Sequence, residues 1–182
     1  NSGSMSGEIA QVEQNINVNF AQIISQSQVD YRVIMVSNHG PGSLEMCIEA
    51  PLSGVPKGGC SAIGGKPPAE TAIFKHYDIP IGSHDSLCKL LDSFDGSIVD
   101  QHNAHPLGWS QLLRKEAIKI FVVLSDDGVD CIWKNFTLDD SDTVNDGINT
   151  AVQFDKALLL LSPYHFGTQA ARNYIFHSII GL

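Results

Sequence analysis

Hydrophobic residues recur along this chain at two different spacings, and the spacing predicts which segments are helices. From residue 6 to about residue 26, apolar side chains repeat every three or four positions, which is typical of an amphipathic helix. Residues 85–94 predict a short helix, and residues 148–161 predict a longer one that Pro163 ends. The apolar positions of the first helix are Ile9, Val12, Ile16, Phe20, Ile23 and Ile24.

Three other segments are almost continuously apolar over the length of a strand, at residues 30–37, 118–124 and 174–182. Such runs indicate strands that are buried on both faces of a parallel sheet. A fourth strand is predicted at residues 71–81, at a sheet edge, because it contains Pro80, which donates no backbone hydrogen bond. Since strands alternate with helices, the sequence predicts an α/β fold with a mainly parallel central sheet flanked by helices.

The length and the chain ends suggest one incomplete domain. The 182 residues are enough for a single domain over 1–182, within which the Gly- and Pro-rich residues 38–70 form a long loop excursion. The chain begins at Asn1 without an initiator Met and ends in an apolar run. We therefore expect a fragment that is cut at both termini, with any signal segment upstream of Asn1.

Composition and charge exclude several partners. No run approaches the roughly 18 apolar residues of a membrane span. With 20 acidic and 11 basic residues, the net charge is −9, and no cluster of basic residues is present, which argues against nucleic-acid binding. The acidic surplus is a candidate metal region, although a solvated acidic surface is the alternative. Its members are Asp126, Asp127, Asp130, Asp139, Asp140, Asp142 and Asp146.

The four cysteines favour an oxidising compartment. They lie at positions 47, 60, 88 and 131 and form no C-x-x-C pair, which argues against a zinc ribbon or a thioredoxin-type motif. Cys47 and Cys60 bracket a Gly- and Pro-rich stretch with little to bury, and a disulfide between them would contribute about 3 kcal/mol by restricting the unfolded chain. Four reduced thiols in a cytosolic domain are the alternative.

Two hydroxyls and a carboxylate are predicted to meet at one edge of the sheet. Ser2 and Ser4 precede the first helix, and Asp126 and Asp127 follow the strand at 118–124. Loops at these two places lie at the carboxyl edge of a parallel α/β sheet, and oxygen ligands of this kind suit Mg²⁺. The alternative is that the serines only cap a helix and Asp126 only ends a strand.

The same residues resemble a known family. Residues 1–5 (NSGSM), followed by an amphipathic helix, resemble the metal-ion-dependent adhesion site (MIDAS) of a von Willebrand factor type A (VWA) domain, whose signature is D-x-S-x-S. Residues 120–126 (IFVVLSD) resemble its fourth strand, which ends in a metal-site aspartate. Register favours Asp126, with Asp127 as the substitute. The resemblance covers most of the chain and extends to bacterial extracytoplasmic members of the family. It implies a Rossmann-like fold whose first strand is missing here.

The third metal-binding loop of that family carries a threonine, and no threonine occurs between residues 81 and 124. Ser110 is the nearest equivalent, with Ser83 and Ser86 as rivals. The resemblance implies that Mg²⁺, or else Mn²⁺ or Ca²⁺, is held by these residues and by an aspartate upstream of Asn1.

The function implied is adhesion rather than catalysis. The bound ion would present a free coordination position to a carboxylate of a protein partner, and the domain would be secreted, periplasmic or on the cell surface. Two alternatives stay open: a structural VWA module without a working ion site, and a metal-dependent hydrolase. The hydrolase would use Asp126, Asp127, His102 and His105.

Overall fold

The computed structural model describes residues 3–141 and 143–180, without the side chain of Ile180, and the chain divides into two compact units. The first unit comprises Asn1–Ile81 and Val99–Pro106. The second comprises Gly82–Ile98 and Leu107–Leu182. The predicted single domain stays a prediction, and each unit is described by itself.

The first unit begins with the predicted amphipathic helix. A 3-10 turn at Gly3–Met5 leads into α1 (Ser6–Asn15), a π-helical stretch (Ile16–Phe20) and α2 (Ala21–Gln26). Because apolar residues recur at helical spacing, this segment buries one stripe. Ile9 packs with Met46, and Ala21 packs with Ile48 and Phe74. The predicted helix at 6–26 is confirmed.

Strands β1 (Val33–Ser37) and β2 (Phe74–Asp78) form a parallel pair in the first unit, with Ser37 opposite Asp78. β1 is only half-buried, so its predicted burial on both faces is wrong. β2 ends before Pro80, so the predicted strand 71–81 was too long and the proline removes no hydrogen bond from the ladder.

The long excursion between β1 and β2 is fixed to the first helix. Side chains on the helix bind its backbone: the Cys47 amide donates to Glu13 Oε1 at 2.5 Å, and the Glu49 amide donates to Asn17 Oδ1 at 2.8 Å. The predicted Cys47–Cys60 disulfide is confirmed. Val55 and Ile63 pack around it, so a segment with few apolar residues still has a small core.

The second unit contains the other predicted elements. Strands β3 and β8 pair in parallel, and β4–β5 and β6–β7 are antiparallel hairpins. The bounds are α3 (Ser86–Asp92), β3 (Lys119–Ser125), β4 (Asp130–Trp133), β5 (Phe136–Asp139), α4 (Val144–Leu161), α5 (Pro163–Phe166), β6 (Gly167–Thr168), β7 (Ala171–Arg172) and β8 (Tyr174–Ile180). The hairpin β4–β5 was missed, because residues 126–147 read as one polar stretch.

Helix α4 begins four residues before the predicted start. The Thr143 side chain accepts a hydrogen bond from the Asp146 amide at 3.3 Å, which satisfies one of the free amides at the helix start. Prediction from the apolar pattern began at residue 148, because the first turn of α4 carries polar residues.

An aromatic group forms the centre of the second unit. The ring of Phe94 lies 5.0 Å from that of Trp109 and 5.6 Å from that of Phe166. Gly108, which precedes the 3-10 turn at Trp109–Leu112, has a φ of +78°, and a Cβ there would lie 2.2 Å from the Phe94 carbonyl oxygen. Only glycine fits this approach.

The described residues form a mixed α/β structure with small two-stranded sheets, two of them parallel. This confirms the α/β class, but no large central sheet occurs in the described ranges. A second disulfide, Cys88–Cys131, joins α3 to β4. Two disulfides fit an oxidising compartment. None of the described helices is both long enough and apolar enough to cross a membrane.

Candidate functional site

The predicted metal ligands are distributed over both units. Ser2 lies outside the described residues, and Ser4 is exposed in the 3-10 turn of the first unit. In the second unit, Ser110 Oγ donates to the Leu107 carbonyl at 3.1 Å, so its hydroxyl serves its own turn. Asp126 and Asp127 directly follow β3, as expected.

The prediction of a bound Mg²⁺, Mn²⁺ or Ca²⁺ is corrected by the structure. Within residues 3–141 and 143–180, no three side chains of His, Cys, Asp or Glu converge to hold a metal ion. The acidic side chains of the second unit instead bind nearby groups. Asp140 accepts from the Val129 amide at 2.7 Å, and Asp139 accepts from the Ser141 hydroxyl at 2.6 Å. The Asp139 carboxylate therefore stabilises its own turn, whereas the Asp140 carboxylate joins the two ends of the β4–β5 hairpin.

The two histidines of the hydrolase alternative bind different carboxylates in the first unit. His105 Nε2 lies 2.6 Å from Glu70 Oε1, and His102 Nε2 lies 3.4 Å from Asp78 Oδ2. They do not share one ligand position, as a metal-binding H-x-x-H pair would. The other two residues of that alternative, Asp126 and Asp127, belong to the second unit.

Glu70 and Asp78 anchor a polar network along the parallel strands β1 and β2. Glu70 also accepts from the His76 amide and from Lys75 Nζ, both at 3.0 Å. Burial raises the pKa of Glu70, but these hydrogen bonds and the one to His105 outweigh burial and bring its pKa below the usual value. Burial raises the pKa of Asp78, against the hydrogen bond from the His39 amide.

The interior of this network contains two neutral histidines. His76 is buried, and its Nε2 lies 3.0 Å from the Ser37 carbonyl. Its ring meets that of His39 edge to face at 5.0 Å. Burial, followed by the proximity of His39, lowers the pKa of His76 to about 3, and burial lowers the pKa of His39 as well. The network therefore keeps its two innermost imidazoles uncharged at neutral pH.

Sequence reasoning missed the carboxylates of this network. The available signal was the alternation in β2, where Phe74, His76 and Asp78 point to one face of a strand. What it lacked was the parallel register that places Ser37 opposite Asp78. Because its charged groups are paired with one another, we interpret the network as structural.

Within residues 3–141 and 143–180, one face of the parallel pair β3–β8 is left uncovered. Ile120 lies opposite Ile175, Val122 opposite His177, and Leu124 opposite Ile179. We call these six residues the open face. The aliphatic members are between 38% and 60% exposed. The burial of β3 and β8 on both faces that the sequence predicted is therefore wrong for the open face.

Helix α4 covers the other face of the same pair. Phe154 of α4 packs against Phe176 of β8, with ring centroids 5.3 Å apart. The buried Ala157 and Leu158 lie on the same helix. The two faces of the pair therefore differ: one meets a helix, and the other presents aliphatic side chains to solvent.

Comparison with known proteins leaves these surfaces as the main guide to function. No family model, no curated protein and no solved structure matches this chain. The VWA resemblance of residues 1–5 and 120–126 therefore stays a prediction from sequence.

Proposed function

We propose that this protein is a protein-binding domain of an oxidising compartment, and that its open face binds an amphipathic helix of a partner protein. The proposal keeps the binding role that the VWA resemblance implies and needs neither a metal ion nor catalysis. The observation that carries it is the parallel pair β3–β8 with a helix on one face only.

Parallel sheets explain why a helix is the expected partner. Such sheets occur almost only with both faces covered, and the covering elements are usually helices. A Rossmann-like VWA fold, which we keep as a proposal, has the same layering. Several exposed aliphatic side chains on one face of a sheet make that face a candidate interaction site. Burying five half-exposed aliphatic side chains would contribute roughly 5 kcal/mol before the costs of association.

The dimensions of the open face suit one helix. Seven residues at about 3.3 Å each make it about 20 Å long, and two strands about 4.8 Å apart make it about 10 Å wide. One helix about 10 Å in diameter and about 13 residues long has this footprint. A second copy of this chain is a poorer occupant, because two copies that each carry a net charge of −9 repel each other.

Charge defines the rest of the partner. The chain carries a net charge of −9, and Asp126 and Asp127 follow the end of β3. A partner helix with lysine or arginine on its polar face is therefore attracted, whereas an acidic one is repelled. This replaces the carboxylate-bearing partner of the metal-based prediction, because a carboxylate has no cation to bind here.

A designed peptide tests the proposal directly. We expect a 14-residue helix with leucines at positions i, i+4, i+7 and i+11 and lysines elsewhere to bind with a dissociation constant in the millimolar range, measured by fluorescence anisotropy. The same peptide with glutamates in place of lysines is expected to bind at least tenfold more weakly. EDTA should leave the affinity unchanged. Equal binding of a peptide with scrambled leucine spacing would contradict the proposal.

Substitution of Val122 tests whether the open face is the binding site. We expect Val122→Asp to weaken the lysine peptide at least tenfold, because the new carboxylate would be buried without a partner. The matched control is Ile132→Asp on β4, where an aliphatic side chain is 70% exposed but lies outside the open face. If both substitutions weaken the peptide equally, the open face is not the binding site.

A further inference from the structure

The covered side of β3–β8 contains a cavity that the proposed function does not use. Its volume is about 240 Å³, and it lies between the two strands, helix α4 and the start of α3. Most of its lining is apolar, including Val123 of β3, Phe176 of β8 and Phe154 of α4. At about 30 Å³ for each water-sized group, it has room for about eight non-hydrogen atoms.

Three carboxylates also line this cavity, and two of them have partners. Asp155 forms an ion pair with Arg172, at 2.6 Å from Nε, and accepts a hydrogen bond from the Tyr174 hydroxyl. Asp140 accepts from the Val129 amide at 2.7 Å. Both therefore have charge-assisted contacts inside the fold, and neither is free to bind a ligand without losing one.

Asp127 is the exception. Its backbone is held in a turn by the Ser125 hydroxyl, which donates to the Asp127 carbonyl at 2.7 Å and accepts from the Asp127 amide at 3.1 Å. Asp127 is partly buried and lines the cavity, and its hydrogen bonds with other described residues are made by its backbone. A partly buried carboxylate without a partner favours a cation in the space beside it.

We propose that this cavity binds a primary ammonium group on a short apolar stem, with the ammonium at Asp127 and the stem among Val123, Phe154 and Phe176. A primary ammonium supplies three hydrogen-bond donors and one positive charge. The aromatic lining suits an apolar or aromatic stem. An anion would be repelled by the three carboxylates, and a neutral molecule would leave the Asp127 charge uncompensated.

Two sources share this chemistry: a free small amine, and a lysine side chain of a peptide. Benzylammonium represents the first and Nα-acetyl-lysine methylamide represents the second. Tighter binding of benzylammonium supports the free amine, and tighter binding of the lysine derivative supports the peptide side chain.

The first test compares charge at constant shape. We expect benzylammonium, titrated into the full chain, to shift the amide resonances of Val123, Phe154 and Phe176 in nuclear magnetic resonance spectra, with saturation in the millimolar range. Benzyl alcohol, which has a similar stem but no charge, is expected to bind at least tenfold more weakly. Equal binding of the two compounds would overturn the proposal.

The second test uses matched variants. We expect Asp127→Asn to weaken benzylammonium about tenfold, because a hydrogen bond to a charged group is lost. Asp130→Asn removes the same charge from an exposed position that does not line the cavity and should leave the affinity within twofold. Equal losses in the two variants would mean that net charge, and not the Asp127 carboxylate, attracts the amine.

The third test fills the cavity. Gly147 of α4 lines it, and an added Cβ would meet no atom within 4 Å. Gly147→Leu is expected to abolish binding, whereas Gly147→Ala, which makes the same backbone change with a smaller side chain, should retain it. Amide spectra of both variants report whether they fold. Retained binding in a folded Gly147→Leu variant would place the amine elsewhere and contradict the proposal.

Discussion

Replacing Cys88 and Cys131 together with alanine is expected to lower the free energy of unfolding by about 4 kcal/mol. The disulfide joins α3 to β4 across a sequence separation of 43 residues. In the chain-entropy model, the stabilisation grows with the length of the loop that the disulfide closes in the unfolded state. Urea unfolding followed by tryptophan fluorescence measures the loss, because both tryptophans, Trp109 and Trp133, belong to the second unit.

The other disulfide supplies the comparison. Cys47 and Cys60 are separated by only 13 residues, and their replacement by alanine should cost about 3 kcal/mol. Amide hydrogen exchange in β1 and β2 reports this loss in the first unit. If removal of the Cys88–Cys131 disulfide leaves the unfolding midpoint unchanged, the bond does not stabilise the second unit as we expect.

The two disulfides together contribute about 7 kcal/mol to the free energy of unfolding. This is comparable to the whole free energy of unfolding of an ordinary domain, about 5–15 kcal/mol. We therefore expect the chain to fold poorly in a reducing cytosol. Recovery of native protein in equal yield with and without a reductant during refolding would contradict the assignment to an oxidising compartment.

Acid is expected to destabilise the first unit by about 2 kcal/mol between pH 7 and pH 5. Burial lowers the pKa of His76 to about 3, whereas in the unfolded chain a histidine titrates near its ordinary value of about 6.5. The unfolded state therefore binds the proton first, and stability falls as pH drops below about 6.5. The loss is about 1.4 kcal/mol per pH unit until the folded histidine titrates.

Other titratable groups of the first unit change its stability in both directions as the pH falls. The pKa of His39 is also lowered, which adds to the loss between pH 7 and pH 5. The pKa of Glu70 is lowered, so its contribution is lost only at more acidic pH. The pKa values of Asp78 and Glu13 are raised, so their protonation in the folded state favours folding as the pH falls and partly offsets the loss.

The variant His76→Gln isolates the contribution of His76. Glutamine retains a side-chain donor for the Ser37 carbonyl but does not titrate. Amide exchange in β1 and β2 gives the free energy of unfolding of this region. We expect its change with pH between 7 and 5 to be smaller in His76→Gln by about 1.4 kcal/mol per pH unit. His177→Gln, which removes a histidine from the second unit, is the control. An unchanged slope in His76→Gln would mean that this histidine does not govern acid stability.

Local patterns in the sequence were sufficient for most elements. The three- and four-residue spacing of Ile9, Val12 and Ile16 places a helical stripe wherever the segment lies in the fold, so the first helix could be predicted. The Gly- and Pro-rich stretch between Cys47 and Cys60 has little else to stabilise it, so that disulfide could be predicted. A strand shorter than five residues in a polar stretch carries too few positions for such a pattern, and the hairpin β4–β5 was missed.

The candidate sites were predicted less well, because they depend on residues that are distant in sequence. The acidic surplus indicated a metal region, but Asp139 accepts a hydrogen bond within its own turn and Asp140 accepts one from the Val129 amide across the β4–β5 hairpin. His102 and His105 were read as one pair, yet each binds a carboxylate of a separate segment. Composition gives the number of charged groups, but it does not indicate which hydrogen-bond donor lies next to each of them in the fold.

By itself, the sequence determined that the chain contains both helices and strands and that it carries an acidic net charge of −9. Only the tertiary structure decided which face of each strand is covered. An apolar run such as Ile120–Leu124 indicates that its side chains favour burial. The element that covers them is set by pairing register and by packing between distant segments. The open face and the cavity at Asp127 both follow from that packing, because helix α4 covers only one side of β3 and β8.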